Sequence, residues 1–103
     1  MHLSKNQITQ IGNFFQDKPV EKVFLFGSYA LGEADEESDI DLLVDLDYSK
    51  KIGLSFYSWA EELEAILKKK VDLVSNAKRE IETSNWNFIQ RINKEKITLY
   101  EKE

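Results

Sequence analysis

The stretch Gly27-Ser28-Tyr29-Ala30-Leu31-Gly32-Glu33-Ala34-Asp35-Glu36-Glu37-Ser38-Asp39-Ile40-Asp41-Leu42-Leu43-Val44-Asp45 decides the fold. It follows Val23-Phe24-Leu25-Phe26, a short apolar run rich in strand formers that Gly27 stops, so the Gly-Ser pair stands at the end of a buried strand. From Ile40 to Leu46 the chain is apolar except at Asp41 and Asp45, as expected of a central strand with a functional edge. Asp39 and Asp41 are two positions apart, so on an extended strand both side chains leave the same face and can share an ion. Leu42, Val44 and Leu46 then point the other way, into a core. Two neighbouring carboxylates repel when ionised, and apolar surroundings worsen the repulsion, so a cation is needed to hold both charged. Magnesium suits the place, because it takes one or two carboxylates together with substrate phosphates. Gly27 permits a sharp turn, and Ser28 offers a hydroxyl and a backbone N–H to a phosphate oxygen. A short helix beginning near Tyr29 would add the positive end of a dipole.

The spacing Gly27-x-x-x-x-Gly32 is that of a P-loop, but Glu33 and Ala34 stand where that motif needs Lys and then Ser or Thr. An ordinary P-loop is therefore rejected, and the charge of a triphosphate must be met by metal ions instead. A third acid would complete a two-metal site, in which one ion polarises an attacking hydroxyl and the other steadies the leaving pyrophosphate. Asp72 is the best candidate, as the only acid inside the apolar run Val71-Asp72-Leu73-Val74, which reads as a third strand.

Outward from these strands, Ser4-Lys5-Asn6-Gln7 has the form of a capping box. Ile8, Ile11 and Phe15 recur at helical spacing after it, which predicts an amphipathic helix ending near Pro19. Phe56, Ala60, Leu63 and Leu67, flanked by Trp59 and Ile66, predict a helix from about Gly53 to Lys69, with Lys68, Lys69 and Lys70 suiting its negative end. A last helix is expected from about Ala77 to Asn93, with Ile81, Trp86, Phe88, Ile89 and Ile92 for packing. Ile97-Thr98-Leu99-Tyr100 reads as a closing edge strand. Tyr29, Trp59 and Trp86 are assigned to packing, while Asp45, the run from Lys94 to Lys96 and the tail Glu101-Lys102-Glu103 are read as solvated. His2 is given no role.

The 103 residues suit a single domain over positions 1–103, large enough for one core but too small for a second substrate-holding domain. A net charge of -5 gives nucleic acid no electrostatic footprint, so that partner is disfavoured. No apolar run approaches the ~20 residues of a membrane span, and the start lacks a signal-peptide core, so a cytoplasmic protein is expected. With no cysteine, thiol catalysis and thiolate metal sites are excluded, and any metal must be bound by oxygen.

Gly27-Ser28, the ten residues after it, Asp39-Ile40-Asp41 and the later Val71-Asp72-Leu73-Val74 resemble the minimal nucleotidyltransferases of the DNA polymerase beta-like superfamily. Length, element order and the helix between the acidic strands agree as well, so the resemblance covers most of the chain. It implies a nucleotidyltransferase fold of α/β (α+β) class, a small mixed sheet with helices packed on it. The chain is most similar to the short antitoxin members encoded beside a HEPN-domain toxin. That resemblance implies magnesium-dependent transfer of AMP from ATP to a tyrosine of the toxin, within a complex of the two proteins. Residue by residue it implies that Gly27 and Ser28 bind the triphosphate, that Asp39 and Asp41 hold magnesium, and that Asp72 is the third catalytic and metal-binding acid. Members often carry G-S-x-A-R-G, and Leu31 takes the place of that arginine here. Two alternatives stay open: a non-catalytic antitoxin that neutralises its toxin by binding, and a nucleotidyltransferase for a small molecule of aminoglycoside type.

Overall fold

The computed structural model describes residues 2–47, 49–50, 53–75 and 96–102. Helix α1 (Lys5–Phe15) opens on the expected capping box: the Ser4 hydroxyl accepts from Gln7 N, and the Gln7 side chain accepts from Ser4 N. It ends at Phe15, four residues before Pro19, because Phe15 is the last of its core-facing side chains. Strand β1 (Val20–Phe26) leads into the single turn α2 (Ser28–Leu31), and β2 (Ile40–Leu46) follows. A 3-10 turn (Gly53–Ser55) runs into α3 (Phe56–Leu67), after which come β3 (Val71–Ser75) and β4 (Ile97–Glu101).

The strands form one mixed sheet in the order β3-β2-β1-β4. β1 pairs antiparallel with both β2 and β4, while β2 and β3 are parallel. A parallel pair needs a crossover, and α3 provides it. The small mixed α+β sheet with helices packed on it, expected from the sequence, is the architecture found.

One face of the sheet holds the larger core, where Ile11 and Phe15 of α1 and Trp59, Leu63 and Leu67 of α3 close over Val23, Leu25, Leu42, Val44, Val71 and Leu73. Phe15 and Trp59 meet edge to face at 6.1 Å, joining the two helices. Leu42, Val44 and Leu46 point into this core as their parity predicts. The other face carries a smaller cluster of Phe24, Phe26, Leu43 and Val74. Its polar positions are the odd-numbered acids of β2 and Asp72 of β3.

Several boundaries differ from the sequence reading for identifiable reasons. β1 begins at Val20, because Val20 pairs with Leu46 and is fully buried, although Glu21 and Lys22 after it are exposed around an irregularity in the ladder. α3 stops at Leu67, where Lys68 adopts the left-handed conformation (φ 56°) and donates its N–H to the Glu64 carbonyl at 2.8 Å. Glu101 is a strand residue and not part of a solvated tail; its carboxylate lies 3.5 Å from Lys22 Nζ. Lys96 is likewise engaged, with its ammonium 4.2 Å from the Phe24 ring centroid. The helix expected from Ala77 to Asn93, with Trp86 in it, lies outside the described residues. Among the described residues no helix is long and apolar enough to cross a membrane.

Leu63 is fully buried between α3 and the sheet, whereas Ile66, three residues on, is 41% exposed. Leu63→Ala is expected to lower stability by about 2–5 kcal/mol and Ile66→Ala by well under half of that, read as urea midpoints at unchanged slope. Equal losses would show that α3 does not pack as described.

Candidate active site

Register places the functional side chains. Across the acidic face Phe26 of β1 stands opposite Asp41 of β2, and Asp41 stands opposite Asp72 of β3. Phe24, Leu43 and Val74 form the next row, and Lys22 stands opposite Asp45 in the row after that. Asp41 and Asp72 are therefore lateral neighbours on one face, and Asp39 joins them from the residue before β2. Asp45 shares the parity of Asp41 but stands opposite Lys22, whose ammonium pairs with Glu101, at the far end of the strand and away from the acidic row.

The Gly-Ser turn abuts this row directly. Gly27 has φ 73°, and a Cβ built on it would overlap the Asp41 carboxylate, whose Cγ would lie 3.1 Å away. Only glycine satisfies both the left-handed backbone and the close approach. Ser28 begins α2, and the Gly27 carbonyl accepts from Ala30 N and Leu31 N at 3.1 and 3.2 Å. The short helix expected near Tyr29 is found, and because it lasts one turn it contributes chiefly its local N–H groups. Gly32 closes it at φ 74°, and a Cβ there would come 3.0 Å from Cε1 of His2, so the His2 ring lies against the end of this turn. Tyr29 is 2% exposed and packs into the larger core.

Asp41 is half-buried, and its carboxyl is pushed up to about 6, first by burial and then by the negative charges of Asp72 and Asp39. Asp41 thus lies within reach of the charges of both Asp72 and Asp39. Among the described residues no three His, Asp or Glu side chains are closed into a ready cation cage. The donor set fits a hard divalent cation all the same: it is all oxygen, two of its members lie on adjacent strands, and Asp41 is raised first by burial and then by the neighbouring charges, a penalty that a cation would relieve.

The loop from α2 to β2 is tied down at both ends. Asp35 accepts from Glu37 N at 2.9 Å and from the Ser38 hydroxyl at 3.1 Å, and Asp35 N donates to the Ser38 hydroxyl oxygen. The Glu37 and Ser38 bonds hold the Asp35 carboxyl below its usual range, with a smaller contribution from Lys69. Lys69 Nζ donates to the Glu36 carbonyl at 2.9 Å, and Ile40 N donates to the Lys70 carbonyl at 2.9 Å. Sequence reading assigned Lys69 to the end of α3. Its position after a left-handed residue turns it instead toward the acidic loop, a redirection that no helical periodicity announces.

The family model described as polymerase beta, nucleotidyltransferase matches residues 9–103. A putative protein adenylyltransferase of Methanocaldococcus jannaschii is 49% identical over 57 residues, covering 54% of this chain and 57% of that protein. The chain thus spans little over half the length of the curated relatives it matches first. A crystal structure described as a toxin-antitoxin with AMP-PNP superposes with a TM-score of 0.67 at 23% identity, covering 98% of this chain and 76% of that one. A structure of tri-AMPylated Shewanella oneidensis HEPN toxin in complex with MNT antitoxin gives 0.67 at 20% identity, covering 97% and 74%. These two structures support the shared fold.

Two predictions follow from the crowding at Asp41. Its folded pKa lies above the ordinary 3.8, so its ionisation works against the fold, increasingly from about pH 4 to about pH 6 and constantly above. Asp41→Asn is therefore expected to match wild-type stability below pH 4 and to exceed it above pH 6 by on the order of 1 kcal/mol, discounted for solvent screening. A variant less stable than wild type at pH 7 would give Asp41 a structural role instead. Gly27→Ala is expected to cost about 1–3 kcal/mol at pH 7, and less once Asp41 is replaced by glycine, because the overlap is then gone. Equal costs in the two backgrounds would refute the close approach.

Proposed function

The chain belongs to the polymerase beta nucleotidyltransferase family, and from that premise we propose that it is a magnesium-dependent protein adenylyltransferase. In this reading it is the cytoplasmic antitoxin of a HEPN-toxin pair, transferring AMP from ATP to a tyrosine of the toxin as a single domain over residues 1–103. The observation that carries the reading is the row Asp41–Asp72 with Asp39 beside it, set against a turn where glycine alone fits. The names of the similar proteins, a protein adenylyltransferase and antitoxins in toxin complexes, support the choice of acceptor.

Each residue has a role in that chemistry. Gly27 brings the backbone close to the triphosphate, and Ser28 donates to a phosphate oxygen through its hydroxyl and N–H. Asp39 and Asp41 would hold one magnesium ion, and Asp72 would join them in holding a second. Bound magnesium supplies Lewis-acid stabilisation of the charge that develops on the phosphates. Asp72, the most exposed acid of the row, takes the proton of the acceptor hydroxyl as its oxygen bonds to the α-phosphorus. The bond from that phosphorus to the bridging oxygen breaks, and pyrophosphate leaves. Because Asp41, raised to about 6, would have to be ionised to hold a cation, metal affinity would rise with pH up to about 6.

A second reading has its own motive, since Leu31 stands where members often carry arginine. In that reading the chain neutralises its partner by covering it, with no transfer. One experiment separates the two. The purified chain and the partner protein encoded beside it are incubated with magnesium and labelled ATP. Adenylylation predicts labelled, inactive partner, with labelling lowered at least a hundredfold by Asp39→Asn or Asp41→Asn, the scale of losing electrostatic stabilisation in a transition state. Protection of the partner without ATP, equally by wild type and by the two variants, would establish the binding reading and remove the catalytic one.

A further inference from the structure

The strand ladder, which begins with Ile40 opposite Val71, sets Asp41 beside Asp72, but Asp39 precedes it, so the place of the third carboxylate depends on the connection ahead of β2. Asp39 lies at the end of the eight-residue connection from α2 to β2, outside the strand. Asp72 lies just after the turn from α3 to β3, where Lys68 has broken the helix. Two hydrogen bonds join the connection to that turn: Ile40 N to the Lys70 carbonyl at 2.9 Å, and Lys69 Nζ to the Glu36 carbonyl at 2.9 Å across 33 sequence positions. The Lys69 ammonium also lies 5.6 Å from the ring centroid of buried Tyr29, the residue after Ser28. One cation thus touches the segment before Asp39 and the helix begun by Ser28, and sits three residues ahead of Asp72.

We propose that Lys69 is a positioning residue for nucleotidyl transfer, holding the Glu36 carbonyl so that Asp39 arrives beside the Asp41–Asp72 pair. The acidic run Asp35-Glu36-Glu37, which does nothing to attract a triphosphate, has a use in this arrangement. Asp35 folds the run into a tight turn through Glu37 N and Ser38, and the turn presents the Glu36 carbonyl outward to the lysine. Misplacement of a metal-binding carboxylate by a fraction of an ångström weakens the transition state more than it weakens ATP binding, since Gly27 and Ser28 are untouched. The effect therefore falls on turnover and on the magnesium requirement.

This inference rests on the adenylyltransferase reading, and its test keeps the two apart. Lys69→Met, Lys69→Arg and Lys68→Met are compared in the full chain with its partner protein. The readouts are kcat, KM for ATP and half-saturating magnesium, together with hydrogen exchange at the backbone amides of Glu37 to Ile40. Lys69→Met is expected to lower kcat about ten- to a hundredfold with KM for ATP within about twofold, and to raise the magnesium requirement and amide exchange several-fold. Lys69→Arg, whose guanidinium also donates to a carbonyl, restores most of each quantity, and Lys68→Met leaves all of them at wild-type values. Wild-type kcat and exchange in Lys69→Met, or a loss that Lys69→Arg does not restore, would overturn the proposal. If wild type itself transfers no AMP, the adenylyltransferase reading fails, and the positioning role in catalysis fails with it; the exchange data then still report whether the latch exists.

Discussion

Two like charges side by side on parallel strands are the constraint around which this small fold is arranged. Asp41 and Asp72 are lateral neighbours only because β2 and β3 run in the same direction in register. That direction obliges the chain to return across the sheet between them, and the return is α3. α3 stays on the sheet because Trp59, Leu63 and Leu67 are buried against it, with α1 beside them through Phe15. The magnitudes favour this design. Each large side chain buried contributes about 1.5–3 kcal/mol, and nine are fully buried among the described residues, so repulsion on the scale of one or two pKa units is readily carried.

In the proposed function the crowding would provide affinity. Asp41, raised to about 6 by burial and by the charges of Asp72 and Asp39, would gain more from a divalent cation than an exposed carboxylate, because binding would relieve repulsion as well as add attraction. Gly27 completes the arrangement, since a Cβ there would overlap the Asp41 carboxylate. The site is thus assembled from one absence and three repelling groups, with the helical face supplying the stability that keeps them together.

Most of this was legible in the chain. Ile40 to Leu46 and Val71 to Val74 announced themselves by apolar content broken by single acids, and the parity of Asp39 and Asp41 set their face. That Asp72 stands on a strand beside Asp41 was expected only from the need for a third acid, since no local pattern encodes the pairing. Three features escaped because each depends on contacts between distant segments. Val20 joins β1 through its burial opposite Leu46, behind two exposed residues that interrupt the pattern. Glu101 becomes a strand residue through pairing with Lys22, far away in sequence. Lys69 reverses its expected direction because a left-handed Lys68 ends the helix early, and no periodicity reports a single φ angle.

The separation of the sheet's two faces has a consequence for how such a chain can diverge. The helical face needs volume and spacing, so compensating exchanges among leucine, isoleucine, valine and aromatic residues can accumulate there at little cost. In the proposed function the opposite face needs oxygen atoms at fixed points and a bare α-carbon beside them, for which no exchange compensates. Drift on the first surface leaves the second undisturbed, because the strands between them transmit position and not side-chain identity. A lineage built on this plan can therefore lose most of its sequence likeness while its reactive geometry stands still.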